Sequence, residues 1–180
     1  MPTFIALLRG VNVGKAKRVP MAEWKALMAD LGYANIRTLL NSGNAVFEAK
    51  GKTAAATHAA SIRKTLLDNL GVDVAVVVKS ADELKRIAAT NPWAKEALDA
   101  SRLLVAFAPD AATLAALAPI AERVQGTDRF YLGADAAYLW CPGGLLESPA
   151  AEALLGKAGR AVTTRNGATL SKLLTMIEAD

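Results

Sequence analysis

Hydrophobic periodicity orders this chain as β-α-β-β-α-β, and does so twice. The first pass begins with Thr3–Leu8, whose apolar residues run continuously rather than alternating, which implies a strand buried on both faces. A glycine-punctuated stretch, Arg9–Pro20, follows. Met21, Trp24, Leu27, Met28 and Leu31 then fall on one helical face, and Gly32 is a natural stop. Asn35–Leu40 and Asn44–Glu48 read as extended pieces joined by the turn residues Asn41, Ser42, Gly43 and Asn44. The spacing predicts a helix from Thr53 to Leu70, with Ile62, Leu66, Leu67 and Leu70 inward and Gly71 ending it. Val72–Lys79, β-branched almost throughout, predicts a strand.

Ser80 to Glu83 is a capping box that opens a connecting helix, and Asn91-Pro92 stops it. Trp93 is expected to fold back as a core anchor. Arg102–Phe107 predicts a strand, and Pro109-Asp110 starts a helix with Leu114 and Leu117 inward. Asp128–Leu132 and Ala136–Trp140 flank Gly133-Ala134-Asp135 as a hairpin. Ser148-Pro149 opens a helix to Leu155. Arg160–Thr164 is expected as the last strand. Asn166 then caps a terminal helix striped with Leu170, Leu173, Leu174 and Ile177. The fold expected is α+β: two ferredoxin-like β-α-β-β-α-β halves in tandem, residues 1–79 and 101–180, with a connecting helix in 80–100 and a C-terminal helix. One continuous sheet is the alternative.

The charge is unevenly spread. Arg9, Lys15, Lys17, Arg18 and Lys25 face Glu23 alone in the first 25 residues, which is the whole of the chain's +4 excess. A second run, Lys157, Arg160, Arg165 and Lys172, contains no acid. Two basic patches on a neutral background suit a small anionic ligand better than a nucleic-acid track, which needs a broader stripe. Apolar residues make up 53% of the chain, which argues for a packed core and against disorder. Cys141 and His58 stand alone as the one cysteine and one histidine, so an intramolecular disulfide, a cysteine zinc site and a multi-histidine metal site are excluded. His58 is expected at the surface or its boundary. With no apolar run of about 18 residues, and with Phe4–Leu8 too short for a secretory apolar region, a cytoplasmic protein is expected.

The loop after the first strand, Gly10-Val11-Asn12-Val13-Gly14-Lys15, invites comparison with a P-loop. Its glycine spacing is one residue short, and Ala16 stands where magnesium binding wants Ser or Thr. It also lacks the G-x-G start of a dinucleotide fingerprint. No cofactor or metal is expected. What remains is a set of residues suited to an anion: Arg9 with its bidentate fork, Lys15 and Lys17 as point charges, Asn12 as an amide, and Gly14 for close backbone approach. Ser42 and Asn44 belong beside them, because in β-α-β-β-α-β order the turn between the second and third strands emerges at the same sheet end. Thr164 and Arg165, at a strand end before a helix N-terminus, complete the candidate ligand set. A Ser-His-Asp hydrolase is improbable, since no G-x-S-x-G occurs. Phe4, Phe47 and Phe107 fit core positions better than an RNA-stacking face.

Arg9–Gly14, Val19-Pro20-Met21, Leu31-Gly32, Arg37-Thr38, Ser42–Phe47, Asn91-Pro92 and Thr163–Asn166 together resemble the bacterial family known as domain of unknown function 1697. The resemblance runs in order over essentially the whole chain. It implies an α+β fold and no established activity, cofactor or substrate. Gly167-Ala168 depart from the Trp and polar residue usual in the family, and Pro149 replaces a basic residue, which puts the C-terminal part of a shared site in doubt. The expected function is binding of a small phosphate- or carboxylate-bearing ligand. The alternatives are an acylphosphatase-like hydrolase and a nucleic-acid or protein-interaction module; the sequence does not set oligomeric state.

Overall fold

A computed structural model describes every residue except Ala16, Ala97 and Asp180. Ala16, the residue that breaks the P-loop pattern, therefore lies outside the described residues. The chain divides into two compact units, Met1–Leu84 with Thr175–Asp180, and Lys85–Leu174. Among the described residues each contains one four-stranded antiparallel sheet, and six α-helices complete the α+β fold.

In the first unit the order is β1 (Thr3–Leu8), α1 (Met21–Asp30), β2 (Ala34–Leu39), β3 (Asn44–Glu48), α2 (Ala55–Leu70) and β4 (Val76–Ser80). The sheet runs β2-β3-β1-β4, so β1 is central and pairs with both β3 and β4. Its composition explains its place. Phe4, Ala6 and Leu8 enter the core under the helices, and the alternate residues Ile5 and Leu7 are also fully buried. Trp24 and Met28 of α1 and Ile62 and Leu66 of α2 close that core. Gly71, left-handed, ends α2.

Two expectations for this unit are corrected. Leu67 is 47% exposed, because it is turned about 100° around α2 from buried Leu66. His58 is buried, not at the surface. Its ring packs among Phe4, Tyr33 and Phe47, with Nδ1 2.9 Å from the Tyr33 hydroxyl and Nε2 left without a partner among the described residues. Burial holds the imidazole pKa below its ordinary value, so the folded state favours the neutral ring. The unfolded chain takes up the proton first, so this contribution is complete above about pH 6.5 and is lost as pH falls through the folded value. Denaturant unfolding between pH 8 and pH 5 is expected to show stability falling on the acid side, and His58→Leu is expected to flatten that fall. An unchanged slope in the variant would assign the fall to other groups.

In the second unit β5 (Leu103–Phe107), α4 (Ala111–Ala115), β6 (Arg129–Leu132), β7 (Ala137–Trp140), α5 (Pro149–Leu155) and β8 (Thr163–Asn166) repeat the order, with the sheet running β6-β7-β5-β8. α3 (Ala81–Ala89) and α6 (Gly167–Glu178) are the connecting and terminal helices. The capping box is present: Ser80 Oγ accepts from Glu83 N, and Glu83 Oε2 accepts from Ser80 N. Ser148 caps α5 and Asn166 caps α6. Trp93 is half-buried rather than a core anchor, with the Arg129 guanidinium 5.8 Å from its ring centre. The last strand starts at Thr163, three residues later than the sequence predicts, because Gly156–Gly159 turn tightly against the end of α5. β4 likewise starts late, at Val76, after an extended approach.

Candidate functional site

The loop between β1 and α1 is built on positive backbone angles. Gly10 (φ 65°), Asn12 (57°), Gly14 (63°) and Lys17 (51°) are left-handed, whereas Val11 and Val13 between the first three are not. A Cβ added at Gly10 or Gly14 would meet nothing within 4 Å, so these glycines serve conformation and border open space. The apolar residues anchor the loop. Val11 and Val19 are buried, whereas Val13, Gly14, Lys15, Lys17 and Arg18 are exposed.

Asn12 closes the loop. Its Oδ1 accepts from Val19 N at 2.9 Å, its Nδ2 donates to Val19 O at 2.8 Å, and its backbone N donates to Lys17 O at 3.1 Å. The second Nδ2 proton goes to Asn41 O at 2.7 Å. The loop is thus tied to the Asn41–Asn44 turn, which topology alone leads one to expect as its neighbour. Leu8 N donates to Gly43 O at 2.8 Å, a second tie. Asn44, fully buried, donates to Leu39 O and to Ser42 Oγ. The two amides of the candidate set therefore hold the scaffold in shape, and the exposed lysines remain as groups that can meet a ligand.

Arg9 is half-buried, and its backbone N donates to Ala75 O at 3.0 Å. Lys17 has an acidic neighbour that a local charge count misses: its charge contributes to holding the Asp73 carboxyl below its ordinary value. The larger cause is Arg63, whose Nε and Nη2 grip Asp73 at 2.7 and 3.1 Å. Among the described residues no group of three or more His, Cys, Asp or Glu side chains is placed to hold a metal ion. No helix among them is long and apolar enough to cross a membrane.

The model of a family described as protein of unknown function (DUF1697) matches residues 1–138. The chain belongs to this family. No curated protein matches it. Among solved structures, the conserved bacterial protein SP0830 from Streptococcus pneumoniae is similar with a TM-score of 0.80 at 20% identity, over 97% of this chain and 98% of that one. At that identity the likeness establishes shared fold.

In this member of the family, the loop and the Ser42–Asn44 turn fall inside the matched span. Thr164 and Arg165 lie beyond it, on β8 of the second unit. Arg165 is 8% exposed, sits opposite Val105 in the sheet and is the next-to-last residue of β8, just before α6. Its Nη1 donates to Thr163 Oγ1 and to Thr164 O, each at 2.8 Å, and burial pulls its pKa down to about 10, so it stays charged at neutral pH. Thr164 is half-buried. The sequence anticipated Arg165 as a charged group of note, but not that it would be buried inside a strand.

Proposed function

We propose that the β1–α1 loop binds a small anionic ligand carrying a phosphate or carboxylate group, in a cytoplasmic protein whose halves are two ferredoxin-like units. The strand order β4-β1-β3-β2, repeated as β8-β5-β7-β6, supports the ferredoxin-like reading. The ligand reading rests on one observation. Gly10 and Gly14 are left-handed and border open space, so an anion can approach the loop backbone closely beside them. Lys15 and Lys17 are exposed on the same loop. Asn12 fixes the loop's shape before any ligand arrives, which lowers the entropy cost of binding. Arg9, Gly14, Lys15, Lys17 and Ser42 form the ligand-facing proposal, with Asn12 and Asn44 as its frame. Arg165 and Thr164 are retained as a separate part of the proposal, on the second unit.

Calorimetric titration with inorganic phosphate and a nucleotide panel tests this. The double variant Lys15→Ala/Lys17→Ala is expected to weaken the best ligand at least tenfold, about 1.4 kcal/mol. A panel without any binder, or a double variant that binds like the parent, would sink the reading.

A hydrolase of the acylphosphatase kind is the second reading, favoured by the same strand order with a basic loop after β1. It needs an amide to orient water, and the candidate amides Asn12 and Asn44 are committed to backbone and Ser42 partners. Fold similarity does not supply the missing group. A nucleic-acid platform ranks third, since Phe4, Phe47 and Phe107 are buried.

A further inference from the structure

The second basic run of the sequence has a structural counterpart in the second unit. α5 ends at Leu155, and the chain turns at once through Gly156-Lys157-Ala158-Gly159-Arg160. A Cβ on Gly156 would stand 2.9 Å from Glu152 O, and one on Gly159 would stand 1.7 Å from Leu154 O. The turn is therefore pressed onto the end of α5, closer than any side chain permits. It also bonds to itself, Arg160 N to Lys157 O at 3.3 Å and Val162 N to Gly159 O at 3.1 Å. Arg123 arrives from a different element, the 3₁₀ turn Ala118–Arg123. Buried Ile120 of that turn and buried Leu154 of α5 belong to one core cluster, so both carriers of charge are anchored.

Arg123, Lys157 and Arg160 line one open cleft of about 700 Å³, in which Glu152 is the one acid among the lining residues. Three cations against one carboxylate among the lining residues make a local excess of positive charge. Such an excess repels itself, and a dianion relieves the repulsion. Arginine forks match phosphate oxygens two at a time, and a lysine adds a point charge. α5 is about two turns long, so its C-terminal dipole weighs little against three full charges.

We propose that this cleft is a binding site for a small phosphate-bearing dianion, distinct from the β1–α1 loop and independent of what that loop binds. Amide-resolved NMR of the full chain, titrated with pyrophosphate at constant ionic strength against sodium chloride, tests it. Saturable shifts are expected at the amides of Gly156, Lys157, Gly159 and Arg160. Arg123→Ala/Arg160→Ala is expected to raise the pyrophosphate Kd at that site at least tenfold, while Lys15→Ala/Lys17→Ala leaves it unchanged. If the double variant folds poorly, Lys157→Glu, an exposed single change, is expected to weaken binding in the same direction. Shifts that grow linearly, that sodium chloride reproduces, or that survive these substitutions would overturn the proposal.

Discussion

Gly43→Ala is expected to destabilise the first unit by about 2–5 kcal/mol, combining a left-handed backbone penalty with overpacking. Gly43 has φ +88°, and a Cβ there would lie 2.6 Å from Leu8 Cβ and 3.0 Å from Val11 Cγ2. Neither neighbour can step aside. Leu8 is a fully buried residue of the central strand, and Val11 is the apolar anchor of the loop. The Leu8 N to Gly43 O bond lies at the same place, so moving the turn outward breaks a tie between turn and β1. Hydrogen exchange at the β1 amides measures the effect locally. Protection within about 1 kcal/mol of the parent, well under the overpacking cost, would show that the turn is not seated on β1 as described.

Asn12→Ala comes next, at about 2–4 kcal/mol for the loop, from three lost side-chain bonds and an alanine forced to positive φ. Asn12→Gly separates the terms. Glycine accepts φ 57° freely, so its loss reflects the bonds to Val19 and Asn41 alone and should be smaller by about 1 kcal/mol. Faster exchange at Val19 N and faster proteolysis between residues 10 and 19 are the readouts. Equal losses in the two variants would mean that backbone strain plays no part at this position.

Much of the architecture was legible because burial and sequence pattern agree. Phe4–Leu8 is apolar on consecutive residues, and its alternate faces are indeed both buried. The Ser80–Glu83 capping box and the Ser148 cap need only local chemistry, and each forms as the sequence predicts. The proximity of the Asn41–Asn44 turn to the β1–α1 loop followed from strand order. What stayed hidden depends on long-range packing. Nothing near Lys17 announces Asp73, which reaches the loop's surroundings only when the chain folds. His58 sits in an alanine-rich, helical context that reads as surface, but its helix face meets Phe4, Tyr33 and Phe47. The delayed start of β8 goes with Gly159, which lies so close to the Leu154 carbonyl of α5 that no Cβ fits, a contact that leaves no trace in local propensity.

Candidate-site residues divide in the same way. Residue types announced Asn12 and Asn44 as polar groups near the loop, but only coordinates assign them to the frame. Asn12 mimics a strand partner for Val19, and Asn44 braces its own turn. The cations were plain in the sequence, and the structure leaves Lys15, Lys17 and Arg18 exposed; an anionic ligand for them is what we propose.

That possibility is tested most directly by titrating the protein with inorganic phosphate and following the backbone amides of residues 10–19, at constant ionic strength. Saturable shifts centred on Val13, Gly14 and Lys15, weakened at least tenfold in Lys15→Ala/Lys17→Ala, are the expected result. Amides in this loop that do not respond, or that respond as strongly in the double variant, would contradict an anion-binding role for it.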